Sequence, residues 1–288
     1  MVDRDYFALR AGGDRARAVR EMPSACLSRL LGNPDEWLLK NLDHPVKIDH
    51  ESLIVAGELP LSDGPVRVAC KRYRPRNGWK AFCGLFRPSR ARRAWKLGRG
   101  LLAREIATAR PLAICEIRRS WFRRTSYLFT EWIEAAENLH LYGWRLAGCP
   151  MHQRLQFAAR CAESLGRLLG RMHAQHIAHR DLKGANLLVA QRTGAEGDVL
   201  TATYLIDLDG VRIRRHLSPA RRAANLARLA AGLQAHPWVS RTLCCRFLRA
   251  YVGQFPPAAV AWKSVWREVA VRSRRLVQRK RRRREPVL

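Results

Sequence analysis

The stretch His179-Arg180-Asp181-Leu182-Lys183-Gly184-Ala185-Asn186, followed by Leu187-Leu188-Val189, decides the reading of this chain. An Asp with an Asn five residues later on one tight loop can divide two tasks. The Asp accepts the proton of an attacking hydroxyl. The Asn amide oxygen, with a second carboxylate, holds Mg²⁺ on nucleotide phosphates. That second carboxylate should sit at the end of a nearby strand. Tyr204-Leu205-Ile206-Asp207-Leu208-Asp209-Gly210 supplies one. A lysine on an upstream strand should reach the α- and β-phosphates, and Lys71 ends the alternating run Val66-Arg67-Val68-Ala69-Cys70-Lys71. The pieces therefore occur in the order Lys71, Asp181, Asn186, Asp207.

Working outward, short strand-like runs dominate the first half. Ser52 to Gly57 is one. Turn chemistry at Leu61-Ser62-Asp63-Gly64-Pro65 separates it from the Lys71 strand. An arginine-rich segment, Asn77 to Ser89, leads into a predicted helix from about Ser89 to Arg104. Further strands start at Pro111 and run from Ser126 to Ile133. After residue 134 helices take over. Leu155, Ala158, Ala162, Leu165, Leu169 and Met172 recur at helical spacing. Thr201 to Leu208 reads as a buried strand. Ser218-Pro219 reads as an N-cap with proline at the first helical position, and Arg241 to Tyr251 and Pro257 onward as further helices. The predicted class is α+β: a two-lobed, protein-kinase-like fold with a small sheet-rich lobe and a larger helical one. The expected divisions are an N-terminal extension (1–45), the N-lobe (46–133), the C-lobe (134–262) and a basic C-terminal tail (263–288).

Composition narrows the partners. The chain has 288 residues, 54 Lys and Arg against 24 Asp and Glu, and a net charge of +30. Residues 263–288 carry 11 bases and two acids, and Lys71 to Arg104 has 12 bases and no acid. Such a surface attracts polyanions such as anionic lipid headgroups, phosphorylated glycolipid or nucleic acid. The longest uncharged run, Ala250 to Trp262, contains two prolines and is too short for a membrane span. The charged start Met1-Val2-Asp3-Arg4-Asp5 lacks the apolar stretch of a secretory signal. Eight scattered cysteines with no Cys-x-x-Cys pair point to reduced thiols.

Taken together, the strand Lys, the His-Arg-Asp-Leu-x-x-x-Asn loop and the downstream Asp resemble the protein-kinase signature. Lys71-Arg72-Tyr73, Ser89-Arg90-Ala91 with Ala94-Trp95, Ala109-Arg110-Pro111-Leu112-Ala113, His173 to Leu182, Ile206 to Asp209 and Asn225 to Leu229 make the chain most similar to the lipopolysaccharide inner-core kinases. Those enzymes phosphorylate Kdo or heptose. The resemblance runs from about residue 46 to 251. It implies a kinase that uses ATP and Mg²⁺. Asp181 would be the base and Lys183 would neutralise the γ-phosphate. Asn186 and Asp207 would be the metal ligands and Lys71 the phosphate binder. The backbone from Glu131 to Ile133 would meet adenine. The implied acceptor is an anionic glycolipid, and the implied location is cytoplasmic, peripheral on the inner membrane, with nucleic acid not expected.

The sequence also departs from the kinase pattern. No Gly-x-Gly-x-x-Gly precedes Lys71, so the phosphate-covering hairpin, expected from His44 to Val55, is poor in glycine. Leu59 to Arg104 holds one acid, Asp63, so the helix Glu that usually pairs with the strand Lys is missing. Glu105 is a poor substitute, and Asp207 is the other carboxylate open to Lys71. The next helix begins about 11 residues after Asp207, which leaves little chain for a peptide-docking segment. That favours a small-molecule or glycolipid acceptor. The competing readings are a kinase for protein Ser/Thr or another small acceptor, and a non-catalytic kinase-like nucleic-acid-binding or scaffold protein. Gly98-Arg99-Gly100-Leu101-Leu102-Ala103 follows no strand, so it is not read as a dinucleotide site. His173, His176 and His179 lack a carboxylate or Cys to complete a metal set.

Overall fold

The computed structural model describes residues 5–43, 45–48, 52–75, 87–120, 124–194, 199–257 and 259–283. The chain divides into two units. The first comprises Met1–Arg104 and Ala109–Trp132. The second comprises Glu105–Thr108 and Ile133–Leu288.

The first unit is built on an antiparallel sheet of seven strands among the described residues. They are β1 (Tyr6–Ala11), β2 (Asp14–Val19), β3 (Pro45–Ile48), β4 (Ser52–Leu61), β5 (Gly64–Tyr73), β6 (Pro111–Arg118) and β7 (Arg124–Glu131), in the order β1-β2-β6-β7-β5-β4-β3. The turn read at Leu61 to Pro65 joins β4 to β5, with Leu61 facing Gly64. Gly64 has φ +119°, a conformation that side chains with a Cβ avoid. Its neighbour β3 pairs Pro45 with Val55 and Ile48 with Leu53, so the flanks of the expected covering hairpin exist. Residues 44 and 49–51 of that hairpin lie outside the described residues, as do residues 76–86 of the arginine-rich segment.

Residues 1–45 were expected to form an extension. Residues 5–43 belong to this unit instead. In β2, Ala16 and Ala18 are buried on either side of Arg17, and the strand pairs with β6 from Arg15↔Glu116 to Ala18↔Ala113. Alanine carries little hydrophobic signal and the arginines mask the alternation, which suits a charged strand near a sheet edge. Helices α1 (Ser24–Gly32) and α2 (Pro34–Lys40) follow. The Asn33 side chain caps α2 by accepting from the Glu36 amide, 3.3 Å away. Asp35 then ties α2 to the sheet. Its carboxylate pairs with Arg72 at 3.1 Å and with Arg119, and accepts from the Tyr127 hydroxyl at 2.7 Å. Burial alone would raise the Asp35 pKa, but the tyrosine hydrogen bond and the two guanidiniums outweigh it and hold it below the usual carboxylate value.

Helix α3 (Arg90–Leu102) forms where predicted, capped by Ser89, which accepts from the Arg92 amide at 3.0 Å. It lays Ala91, Ala94, Trp95 and Leu101 on the sheet. Trp95 is among the largest fully buried side chains, and burial of one large apolar side chain contributes roughly 1.5–3 kcal/mol.

The second unit is mainly helical: α4 (Leu139–Ala147), α5 (Met151–Ala174), α6 (Pro219–Gly232), α7 (Arg241–Val252) and α8 (Trp262–Arg282). Two small sheets accompany them, β8 (Ala136–Asn138) with β10 (Leu187–Thr193) and β11 (Val199–Leu205), and β9 (Ile177–His179) with β12 (Val211–Ile213). The predicted α5 stripe buries Ala158, Leu165, Leu169 and Met172, but Leu155 is 42% exposed. Ser218 precedes Pro219 as expected, yet its side chain makes no cap bond; its carbonyl takes the amides of Arg221 and Arg222. The basic tail read from residue 263 is the body of α8. Its Trp266, Val269, Ala270 and Ser273 line one cavity with α6 and α7, and Val277 is buried. Residues 284–288 lie outside the described residues.

Candidate active site

In the second unit β9 ends at His179, and the chain then makes a turn through Arg180 and Asp181 into a 3₁₀ turn at Gly184–Asn186. The loop closes on itself. The Asn186 amide nitrogen donates to the Asp181 carbonyl at 2.8 Å and to the Asp181 carboxylate at 3.2 Å. The Lys183 ammonium lies 3.3 Å from the same carboxylate oxygen. Three residues named from sequence thus share one loop. Asn186 is buried and both its side-chain bonds use nitrogen, so neither engages Oδ1, the atom a cation would take.

Asp207 follows β11 and adopts a left-handed conformation (φ 56°, ψ 66°), which non-glycine residues occupy at a cost and which is concentrated at functional loops. The predicted strand therefore stops at Leu205, two residues before it. Hydrogen bonds to the loop and to Ala107 and Thr108 hold the end of β11. The Ile206 amide donates to the Asn186 carbonyl at 2.9 Å. Thr108 donates from its hydroxyl to the Leu205 carbonyl at 2.6 Å, while the Leu205 amide donates to Ala107.

A buried chain of hydrogen bonds sets both acidic positions. The His179 ring nitrogen Nε2 meets the Asp207 carbonyl at 3.0 Å. A carbonyl only accepts, so Nε2 carries the proton in this bond. The His179 amide donates to Asn225 Oδ1 at 2.9 Å, and His173 Nε2 reaches the same oxygen at 3.4 Å. His173 Nδ1 in turn faces the Tyr251 hydroxyl at 2.9 Å. The consistent proton order is Tyr251 to His173, His173 to Asn225, and His179 to Asp207. Burial is the main cause that lowers the His173 pKa to about 4, with the Asn225 hydrogen bond opposing. The sequence reading passed over Asn225 and Tyr251 as positioning residues because only the fold brings α6 against β9 and α7 against α5.

Gly210 was missed too. A Cβ there would come within 2.7 Å of the His179 ring. The Gly210 carbonyl also accepts the Arg180 amide at 2.9 Å.

Lys71 and Glu131 lie in the first unit. Lys71 sits in β5 between Ile54 of β4 and Leu128 of β7. Its ammonium lies 5.1 Å from the centre of the Tyr73 ring, and the Arg90 guanidinium 4.9 Å from that same centre. The α3 stretch contains no acid, and the Glu105 carboxylate is bound to Arg171 at 3.2 Å. In the expected adenine segment, the Glu131 amide is spent on the Arg110 carbonyl and the Trp132 amide on the Arg67 carbonyl. Among the described residues the Ile133 amide donates to no backbone carbonyl. No group of three or more His, Cys, Asp or Glu that could hold a metal is found among the described residues.

Fold and loop together define a kinase-like phosphotransferase. A family model described as lipopolysaccharide kinase (Kdo/WaaP) matches residues 80–251. That is more than half of the chain, and the chain belongs to this family. It is a kinase that acts on a sugar hydroxyl. Among solved structures, one titled WaaP in complex with acyl carrier protein is similar with a TM-score of 0.59 and 20% identity, covering 88% of this chain and 95% of that one. This likeness supports the kinase-like fold. A comparison with curated proteins finds no match.

Proposed function

We propose that the protein transfers the γ-phosphoryl group of ATP to a hydroxyl of Kdo or heptose in the inner core of lipopolysaccharide. The observation that carries this reading is the Asp181–Lys183–Asn186 loop, tied to Asp207 by Ile206 and His179. Asp181 takes the acceptor proton while its carboxylate is oriented by Asn186. The acceptor oxygen forms a bond to the γ-phosphorus, the bond to the β-phosphate oxygen breaks, and ADP leaves. Lys183 places positive charge beside the transferring group. Lys71 binds phosphate, and the backbone at Glu131 and Ile133 meets adenine, chiefly through the Ile133 amide.

The oxygen donors Asn186 Oδ1 and the Asp207 carboxylate fit a hard divalent cation such as Mg²⁺. When bound, that ion neutralises charge on the nucleotide phosphates. The net charge of +30 favours attachment to the anionic cytoplasmic face of the inner membrane, where a glycolipid acceptor resides. No helix among the described residues is long and apolar enough to cross a membrane. Incubation with Mg-ATP and deacylated inner-core oligosaccharide, followed by mass analysis, tests the reading. A product gaining one phosphoryl group is expected, and phosphorylation of protein but not of the oligosaccharide would reverse it.

One feature favours a further partner. The second unit holds a partly open cavity of about 370 Å³ lined almost wholly by apolar side chains, among them Leu146, Leu165, Leu229, Phe247 and Trp266. Two buried nitrogens on its lining, His236 Nδ1 and Trp238 Nε1, have no hydrogen-bond partner among the described residues. An aliphatic chain with a carbonyl head suits that combination. The WaaP structure is in complex with acyl carrier protein, and an acyl group from such a carrier is the occupant we assign. Co-expression with the carrier and intact mass analysis of the purified complex tests it; a purified protein without the carrier counts against it.

A further inference from the structure

The α4–α5 corner exposes an apolar surface next to the catalytic loop. Leu141 and Trp144 are each 53% exposed, and Met151 is 69% exposed. With Leu155, four of the twelve large exposed hydrophobic residues among the described ones fall between 141 and 155. Each pair shares one helix face, Leu141 with Trp144 three apart and Met151 with Leu155 four apart. The two pairs flank the short turn Gly148-Cys149-Pro150. Core spacing had assigned Leu155 to the interior, so its exposure is not a consequence of the helical stripe.

Charge selects the occupant. From Leu139 to Arg160 there is no acid, while Arg145, Arg154, Arg160 and two histidines are present. Arg145 is partly compensated by Glu137 of β8, its ion-pair partner, and Arg160 donates to the Val199 carbonyl. The combination of exposed Leu, Met and Trp with bases and no acid is that of a segment lying in the headgroup layer of an anionic bilayer.

Position gives the surface a purpose. A Cβ on Gly184, in the catalytic loop, would lie 3.4 Å from the His140 amide nitrogen of α4. Trp144 Nε1 donates to His140 Nε2 at 3.2 Å, and His140 Nδ1 meets His236 Nε2 at 3.0 Å. The exposed tryptophan is therefore fixed to the residue that abuts the loop.

We infer that the α4–α5 corner seats in the surface of an anionic bilayer through Leu141, Trp144, Met151 and Leu155, holding the catalytic loop at the depth of a membrane-anchored sugar. This inference rests on the proposed glycolipid acceptor and names the surface that meets its membrane.

The test uses the full chain and sedimentation with vesicles of phosphatidylglycerol and phosphatidylethanolamine, in low and in 0.5 M salt. Binding through arginines alone is screened by salt, whereas seated apolar side chains resist it. The variant L141S/M151S/L155S should lose the salt-resistant binding by about tenfold or more, with an unchanged thermal melt. Its phosphorylation of deacylated oligosaccharide should remain at the wild-type rate. Salt-resistant binding equal to wild type overturns the inference. So does a wild-type dimer that becomes a monomer in the variant, or protection of the corner by an acidic protein rather than by vesicles. Wild-type failure on the soluble oligosaccharide would count against the acceptor reading alone, because vesicle binding is read separately.

Discussion

In the proposed mechanism Asp181, Asn186 and Asp207 have different roles, and substitution should separate them. Asp181→Asn keeps the shape of the loop but removes the proton acceptor. Turnover should fall by about 10²–10⁴-fold with nucleotide affinity little changed, read by steady-state kinetics beside binding of a fluorescent ATP analogue. Asp207→Asn removes a carboxylate ligand, so its activity should recover partly at raised Mg²⁺, whereas that of Asp181→Asn should not. Gly210 acts by being absent as a side chain. Gly210→Ala places a methyl 2.7 Å from the His179 ring, inside a buried loop. A loss of about 1–3 kcal/mol in denaturant unfolding is expected. The loop from Asp181 to Asn186 was legible in sequence because its residue types lie at short, fixed spacings. Gly210 was not, because a close approach to a ring 31 positions upstream leaves no local mark.

At the scale of elements, the catalytic loop depends on α6 and α7. Asn225→Ala would leave the buried His179 amide without its acceptor and His173 without its partner. A destabilisation of about 1–3 kcal/mol is expected, with loss of activity under conditions where the protein stays folded. The same cluster sets an acid limit. The His173 pKa lies near 4, below the ordinary histidine value of 6.5, because burial disfavours the cation. Above pH 6.5 the ring is neutral folded and unfolded, and no penalty exists. As pH falls from 6.5 to 4 the unfolded chain takes up a proton that the folded chain refuses. Stability should drop by up to about 3 kcal/mol across that window. Urea unfolding at pH 7.5 and 4.5 measures it, and His173→Gln should flatten that part of the slope. Below that, the lowered pKa of Asp35 adds a loss of the same sign as its ion pairs with Arg72 and Arg119 are protonated away. The helices were legible where apolar residues repeat strongly, as in α5. β2 was not, since alanine between arginines looks like a charged coil until β6 supplies the partner.

For the whole molecule, charge and family membership point the same way. A chain at +30 that acts on lipopolysaccharide meets an acceptor rich in anionic groups. Vesicle binding and activity on a lipid-embedded acceptor should both weaken as ionic strength rises, while activity on a soluble oligosaccharide changes less. Comparative assays at 0.05 and 0.5 M salt check this.

By itself the sequence determined the α+β class, the tight loop from Asp181 to Asn186 and the excess of positive charge, because each is written in residue type and short spacing. Tertiary structure alone decided the rest: β1 and β2 as sheet strands, α8 as a packed helix, the Tyr251–His173–Asn225–His179–Asp207 chain and the exposure of Leu155. Those depend on which distant segments meet. Burial and hydrogen-bond partnership belong to pairs of surfaces, and no single stretch of chain carries both members of the pair.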